Sequence, residues 1–158
     1  MTNALVIYDS KFGNTKKLAE EIATGIQEAG DIKCKIENIK DFDRGEVTVF
    51  DAVLFGGPVH VMRATRGITG AIKKAAKDGL DGKLVTTFET YMGNHNGKAL
   101  RKMEELLMKK APGARIVSPG FSALVDGYEG PLNAEDAVKG KEFGRTFGQE
   151  LLQKSYSS

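Results

Sequence analysis

The hydrophobic positions of this chain alternate between short continuous runs and longer stretches of helical period. Ala4 to Tyr8 and Ala52 to Phe55 are continuously apolar, as strands buried on both faces of a sheet are. Ile32 to Glu37 alternates apolar with charged residues, which predicts a half-exposed strand at a sheet edge. Leu84 to Phe88 and Arg115 to Phe121 complete a set of five predicted strands.

Segments of helical period separate these strands. They are predicted at Thr15 to Ala29, Ile68 to Ala76, Gly97 to Lys110 and Asn133 to about Gln153. Asn133 is a suitable N-cap, with Asp136 in the capping-box position three residues later. Because parallel neighbours need crossover connections of this length, the pattern predicts a doubly wound α/β domain over residues 1–154 and a short tail at 155–158. In such sheets the ligand binds beyond the carboxyl ends of the strands.

Length and composition agree with one compact domain. The 158 residues are 41% hydrophobic and 28% charged, which is too apolar for a disordered chain. No apolar run approaches the roughly 20 residues that a membrane span needs, and no signal-peptide pattern precedes the first strand, so a cytoplasmic protein is expected. Cys34 is the single cysteine, which excludes an internal disulfide and favours a packing role for its side chain.

The charge balance excludes little by itself. Basic and acidic residues number 23 and 21, which gives a formal net charge of +2. The lysine pairs fall inside predicted helices with no interleaved aromatics, so we interpret them as solvated helix faces. No nucleic-acid partner is expected.

The first loop, Asp9 to Thr15, opens directly into a helix. A helix N-terminus offers free backbone N–H groups and a partial positive charge, which suits a phosphate. Gly13 allows close approach of the backbone, and Ser10 and Asn14 add polar side chains. The loop fits neither the Walker A nor the Gly-x-Gly-x-x-Gly pattern. Taken alone, it predicts a phosphate site or a capped helix equally well.

Four parts of the chain together resemble the flavodoxin family. Tyr8 to Thr15 resembles that family's phosphate loop, (Ser/Thr)-x-Thr-Gly-x-Thr, in register at a strand-to-helix turn. Gly56 to His60 and Glu89 to Asn94 stand where the family places the two loops that flank the isoalloxazine ring. Pro131 to Gly148 resembles the family's closing helix, so the resemblance covers nearly the whole chain.

The resemblance implies a five-stranded parallel sheet of order 2-1-3-4-5 and non-covalently bound FMN. It also implies a monomeric low-potential electron-transfer protein that meets redox partner proteins transiently, with no catalytic side chain and no metal. The residues that it places at the cofactor are Ser10, Lys11, Phe12, Gly13, Asn14, Thr15, Pro58, Val59, His60, Val61, Met62, Glu89, Thr90, Tyr91, Gly93 and Asn94.

Several residues depart from the family pattern. Phe12 replaces a phosphate-binding threonine, and without any tryptophan Tyr91 becomes the best candidate to stack on the flavin, ahead of His60 and Met62. Val61 stands near a glycine position of the family, and as a β-branched residue it should resist a positive φ, which predicts weak stabilisation of the semiquinone. The basic residues Lys11, Arg63 and Arg66 predict a less negative hydroquinone couple than in acidic flavodoxins.

Other functions fit the same fold. An FMN-dependent NAD(P)H:quinone-type oxidoreductase is the main alternative, and a module that has lost its cofactor is another. A receiver domain is disfavoured because Gly56-Gly57-Pro58 occupies the place of its phosphorylated aspartate. The loop from Asp126 to Glu129, near the expected edge of the cofactor, is interpreted as solvated, with gating or partner binding as the alternative.

Overall fold

The computed structural model describes residues 2–157, apart from the side chains of residues 44 and 154–157. Within that range the elements are β1 (Thr2–Tyr8), α1 (Asn14–Glu28), β2 (Ile32–Asn38), a 3₁₀ helix (Arg44–Val49), β3 (Ala52–Pro58), α2 (Arg66–Asp78), β4 (Leu84–Tyr91), α3 (Lys98–Lys110), β5 (Arg115–Ile116), β6 (Phe121–Leu124) and α4 (Ala134–Ser157). None of the described helices is long and apolar enough to cross a membrane.

The strands form one parallel sheet in the predicted order, β2-β1-β3-β4-β5. β1 lies between β2 and β3, so Ala4 is paired with Cys34 on one side and with Ala52 on the other. The connection that leaves β1 leads to β2 at one edge of the sheet, and the connection that leaves β3 leads to β4 on the other side. The carboxyl ends of β1 and β3 therefore frame the expected ligand crevice.

The predicted fifth strand, Arg115 to Phe121, is wrong as one continuous strand. β5 ends at Ile116, and pairing with β4 resumes only at Phe121, where β6 begins. Pro119 lies in the interruption and has no N–H to donate to a ladder. The two short strands β5 and β6 share the fifth position beside β4.

Each face of the sheet is covered by two helices. Leu5, Val53 and Phe55 point to a core under α2 and α3, while Val6 and Leu54 point to a core under α1 and α4. This double coverage explains why the central strands are continuously apolar. Cys34 packs against the α1/α4 core, and burial raises the pKa of its thiol to about 12, so the predicted packing role is confirmed.

The helix ends follow local capping chemistry. Thr65 accepts a hydrogen bond from the Ile68 N–H at 3.2 Å and starts α2 two residues before the predicted position. The predicted cap of α4 is confirmed, because the Asp136 N–H donates to Asn133 Oδ1 at 3.0 Å. α4 runs to Ser157 instead of ending near Gln153. The predicted tail at 155–158 is thus helical through 157, and 158 lies outside the described residues.

An acidic pair lies where β2 meets the 3₁₀ helix. The Lys35 ammonium contacts the carboxylates of both Glu37 and Glu46, at 3.6 Å from Glu37 Oε1. Burial raises the pKa of Glu37 to about 7, and the neighbouring Glu46 adds to this rise while Lys35 opposes it. The folded state therefore holds a proton on Glu37 that the unfolded chain releases near the ordinary value of 4.5.

The raised pKa of Glu37 makes the stability of the fold depend on pH. The stabilisation that the proton on Glu37 gives to the folded state is complete below about pH 4.5. It is lost as the pH rises through about 7, because deprotonation then favours the unfolded chain. Glu37→Gln should therefore raise the free energy of unfolding by about 1 kcal/mol at pH 8 and change it little at pH 4, measured by urea denaturation. The same substitution at exposed Glu142 is the control, and an equal pH profile for both variants would contradict the assignment.

Candidate functional site

The loop between β1 and α1 presents an open helix N-terminus. Gly13 has φ +91°, and a Cβ there would have no neighbour within 4 Å. Ser10 Oγ accepts hydrogen bonds from the N–H groups of Gly13 at 3.0 Å and of Lys16 at 3.4 Å, which fixes the turn and leaves its hydroxyl proton free to donate. Within the described part of the chain, the backbone N–H groups of Asn14 and Thr15 have no acceptor. These groups favour an anion at this position.

The side chains of Asn14 and Thr15 hold the loop to its neighbours. Thr15 is 2% exposed, and its hydroxyl lies 2.8 Å from that of Thr90 at the end of β4. Asn14 Nδ2 donates to the Glu129 carbonyl at 3.2 Å, in the loop after β6. Both side chains were expected at the cofactor. In the described part of the chain their side chains make these framing contacts, while their backbone N–H groups have no acceptor.

A cavity at the carboxyl ends of β1, β3, β4 and β6 collects most of the predicted residues. Ten of them line it: Ser10, Lys11, Phe12, Asn14, Thr15, Pro58, Val59, His60, Thr90 and Tyr91. The Val59 N–H donates to the Thr90 carbonyl at 2.8 Å and so joins the two loops expected to flank the flavin. Burial raises the pKa of Tyr91, with the charges of Asp136 and Glu89 adding to it, so its phenol stays neutral at physiological pH.

Four lining residues were not predicted: Met92, His95, Val125 and Tyr128. Tyr128 belongs to the loop that was interpreted as solvated. Its ring packs edge-on against Phe12 with centroids 5.1 Å apart. Lys11 Nζ donates to the Tyr128 hydroxyl at 3.3 Å and lies 5.3 Å from the centroid of the Phe12 ring. A large aromatic in an otherwise polar, Gly-rich loop was the available signal for this contact.

Glu89 does not line the cavity. It is completely buried, and its Oε1 accepts hydrogen bonds from the N–H groups of Ala99 at 3.0 Å and Leu100 at 2.9 Å. Its Oε2 accepts from the Gly97 N–H and from the Ser122 hydroxyl. The carboxylate thus caps α3 from the neighbouring strand. Gly93 and Asn94, also predicted at the cofactor, lie in the turn between β4 and α3, outside the cavity wall.

Val61 and Met62 form the tip of a tight hairpin turn beside the cavity. His60 and Arg63 exchange backbone hydrogen bonds of 2.8 and 3.1 Å across it. Val61 has φ +49° and Met62 φ +65°, as the central residues of a type I′ turn do. The expectation that Val61 would avoid a positive φ is wrong, because the hairpin pair fixes the turn. The predicted weak stabilisation of the one-electron-reduced flavin depended on that expectation and is therefore left without its basis.

The strain in this turn is measurable. A β-branched residue at positive φ costs about 1–2 kcal/mol, so Val61→Gly should raise the free energy of unfolding by about 1 kcal/mol in urea denaturation. Val49→Gly is the matched control, since Val49 is equally exposed without a positive φ and should lose stability. Equal losses of unfolding free energy in the two variants would show that Val61 is not strained.

Comparison with known proteins finds relatives of this chain by sequence and by fold. The family described as "Flavodoxin domain" matches residues 5–120. This chain belongs to the flavodoxin family. It is 27% identical to a flavodoxin of Clostridium saccharobutylicum over 151 residues, covering 94% of each chain. An archaeal flavodoxin superposes with a TM-score of 0.83 at 19% identity, over 96% of this chain and 99% of that one. The Flv1 flavodiiron core of Synechocystis sp. PCC6803 gives a TM-score of 0.79 at 22% identity, over 96% of this chain and 36% of that one.

Membership of the flavodoxin family implies FMN as the cofactor, and the cavity fits it. The open N–H groups of Asn14 and Thr15, with the free hydroxyl proton of Ser10, suit a phosphate dianion. The wall formed by Pro58, Val59 and Tyr91 offers the largely apolar lining that a flat ring system requires.

Proposed function

We propose that this flavodoxin is a low-potential electron carrier that moves reducing equivalents between redox partner proteins. The observation that carries this proposal is the apolar rim of the cofactor cavity. Phe12, Met92 and Tyr128 line it, Met62 lies in the turn that follows lining residue His60, and all four side chains are between 38% and 64% exposed. Such a rim suits brief contact with a second protein surface, as electron-transfer complexes require.

The bound FMN supplies the redox chemistry, and the chain binds and tunes it. The α1 N-terminus holds the phosphate, while the loops at Pro58 to His60 and at Tyr91 hold the ring. Lys11, Arg63 and Arg66 place positive charge beside these loops and favour an anionic reduced cofactor. We therefore propose that the potential for the second one-electron reduction of bound FMN is less negative than in an acidic flavodoxin. A redox titration measures it.

Two reactions separate the carrier from an NAD(P)H:quinone-type oxidoreductase. In the first, the reduced FMN-loaded protein is mixed anaerobically with oxidised cytochrome b5, an acidic one-electron haem protein, in a stopped-flow spectrometer. In the second, NADPH and menadione are supplied and steady-state turnover is followed. The carrier predicts rapid, complete oxidation by cytochrome b5 and negligible NADPH turnover. Fast NADPH-dependent quinone reduction would contradict it.

We place this activity in the cytoplasm, in a monomer whose domain spans residues 1–154. The lone Cys34, partly buried and with a raised pKa, is in keeping with a reducing compartment. Size-exclusion chromatography with light scattering tests the monomer, and a stable dimer would contradict it.

A further inference from the structure

A second depression lies between α2 and α3 and is dominated by positive charge. This basic groove, of about 380 Å³, is lined by the five basic side chains Arg63, Arg66, Lys73, Lys102 and Lys109. Glu105 is its one acidic lining residue, within the part of the chain that the structure describes. The groove carries a concentration of charge that the chain's net charge of +2 does not suggest.

The charge is segregated between the two faces of the sheet. α2 and α3 together carry nine basic and three acidic residues. α1 and α4, on the opposite face, carry six basic and seven acidic residues. The molecule is therefore strongly polarised, and its positive potential is focused on the face that contains the groove.

The groove cations are turned to solvent instead of being neutralised internally. Lys102 has a carboxylate oxygen of Glu105 at 4.0 Å, and both side chains are more than 60% exposed. Among residues 2–157, Arg63, Arg66, Lys73 and Lys109 have no carboxylate within ion-pair distance. Exposed charges of one sign repel each other at close range, so contact with an anionic surface of another molecule would reduce this repulsion.

The groove adjoins the cofactor cavity through a single turn. Arg63 lines the groove, while His60, its backbone partner across the Val61–Met62 turn, lines the cavity. A molecule seated on the groove therefore lies beside the apolar rim of the cofactor site. Electron transfer needs this proximity between the docked partner and the cofactor.

The spread of the cations indicates what kind of anion fits. Arg66 and Lys73 are seven residues apart on α2, and Lys102 and Lys109 are seven residues apart on α3. At 1.5 Å rise per residue, each pair spans about 10 Å along its helix. Two rows of this length match a protein surface bearing several carboxylates better than they match one phosphate group.

From this arrangement we infer that the basic groove docks the acidic surface of an electron-transfer protein. The inference rests on the proposed carrier function and adds the chemistry of the partner. Complementary charge steers encounter and raises the association rate, and salt screens the effect. The partner for this face is accordingly an acidic protein, and a basic one is repelled from it.

The test uses reduced plant-type [2Fe–2S] ferredoxin, an acidic one-electron protein, as the donor to the oxidised FMN-loaded protein. The second-order rate is measured by stopped flow between about 0.01 M and about 1 M salt. The groove variant carries Lys73→Glu, Lys102→Glu and Lys109→Glu. The matched control carries Lys33→Glu, Arg115→Glu and Lys139→Glu, which are exposed side chains elsewhere with the same total charge change.

The wild-type rate should fall about tenfold or more as salt rises, and the groove variant should be about tenfold slower than wild type at low salt. The control variant should stay within about threefold of wild type, because only its net charge has changed. FMN affinity, measured by fluorescence quenching, should be the same in all three proteins.

Three results would overturn the inference. Equal slowing of both variants would assign the effect to net charge, and a rate indifferent to salt would remove electrostatic docking altogether. A groove variant that slows reduction by NADPH instead of by ferredoxin would make the groove a nucleotide site. Failure of the wild type to bind FMN would instead overturn the proposed function itself, so the two failures are distinguishable.

Discussion

Replacement of Gly13 by valine is expected to lower the affinity for FMN about 100-fold, which corresponds to about 2.7 kcal/mol. Gly13 holds φ +91° at the start of α1, and a β-branched residue resists that conformation. Relaxation of the turn would redirect the N–H groups of Asn14 and Thr15, which are the groups free to bind the phosphate. The measurement is fluorescence quenching of FMN titrated with the apoprotein.

Gly82→Val is the matched control for this variant. Gly82 also has a positive φ, +76°, and a Cβ there would likewise meet nothing within 4 Å. It precedes β4, at the end of the sheet away from the cavity. Both variants should lose similar stability, but only Gly13→Val should lose FMN affinity. Equal affinities in the two variants would contradict the assignment of the phosphate to this turn.

Glu89→Gln is expected to lower the free energy of unfolding by about 2–4 kcal/mol. The carboxylate accepts from three backbone N–H groups and one hydroxyl in a completely buried position. A glutamine would turn an amide donor toward one pair of these donors and would remove the charge that favours the helix N-terminus. Chemical denaturation of the apoprotein measures the loss without a contribution from bound FMN.

Glu105→Gln provides the comparison for Glu89. Glu105 lies on the exposed side of α3, where its ion pair with Lys102 spans 4.0 Å. Exposed pairs of this kind contribute about 0–1 kcal/mol, so this variant should unfold within that range of the wild type. Similar stabilities for the two variants would show that the buried carboxylate does not hold α3 in place.

The sequence predicts most of the fold because hydrophobic period and burial coincide here. Continuous apolar runs such as Ala52 to Phe55 occur in strands covered on both faces, and helical spacing identifies the covering helices. The misread segment is Arg115 to Phe121, where Pro119 interrupts the pairing within an otherwise strand-like run. The hydrophobic pattern alone does not show that Pro119 lacks the backbone N–H that a strand needs for pairing.

The site was predictable only where it depends on short local segments. The turn at Gly13 and the loop at Pro58 to His60 lie in contiguous stretches, so their pattern is visible in the chain. The role of Glu89 depends on backbone groups of α3 that reach it only after the helix folds back onto β4. Tyr128 meets Phe12 across 116 positions of sequence, and no local period encodes that contact.

FMN is expected to bind in the cavity with its phosphate at the N-terminus of α1. The most direct measurement compares the affinities of the apoprotein for FMN and for riboflavin, which differ by that phosphate alone, in parallel titrations. A phosphate site at the N-terminus of α1 predicts one FMN per chain, bound about 100-fold more tightly than riboflavin. Equal affinity for the two flavins, or no binding of either, would contradict it.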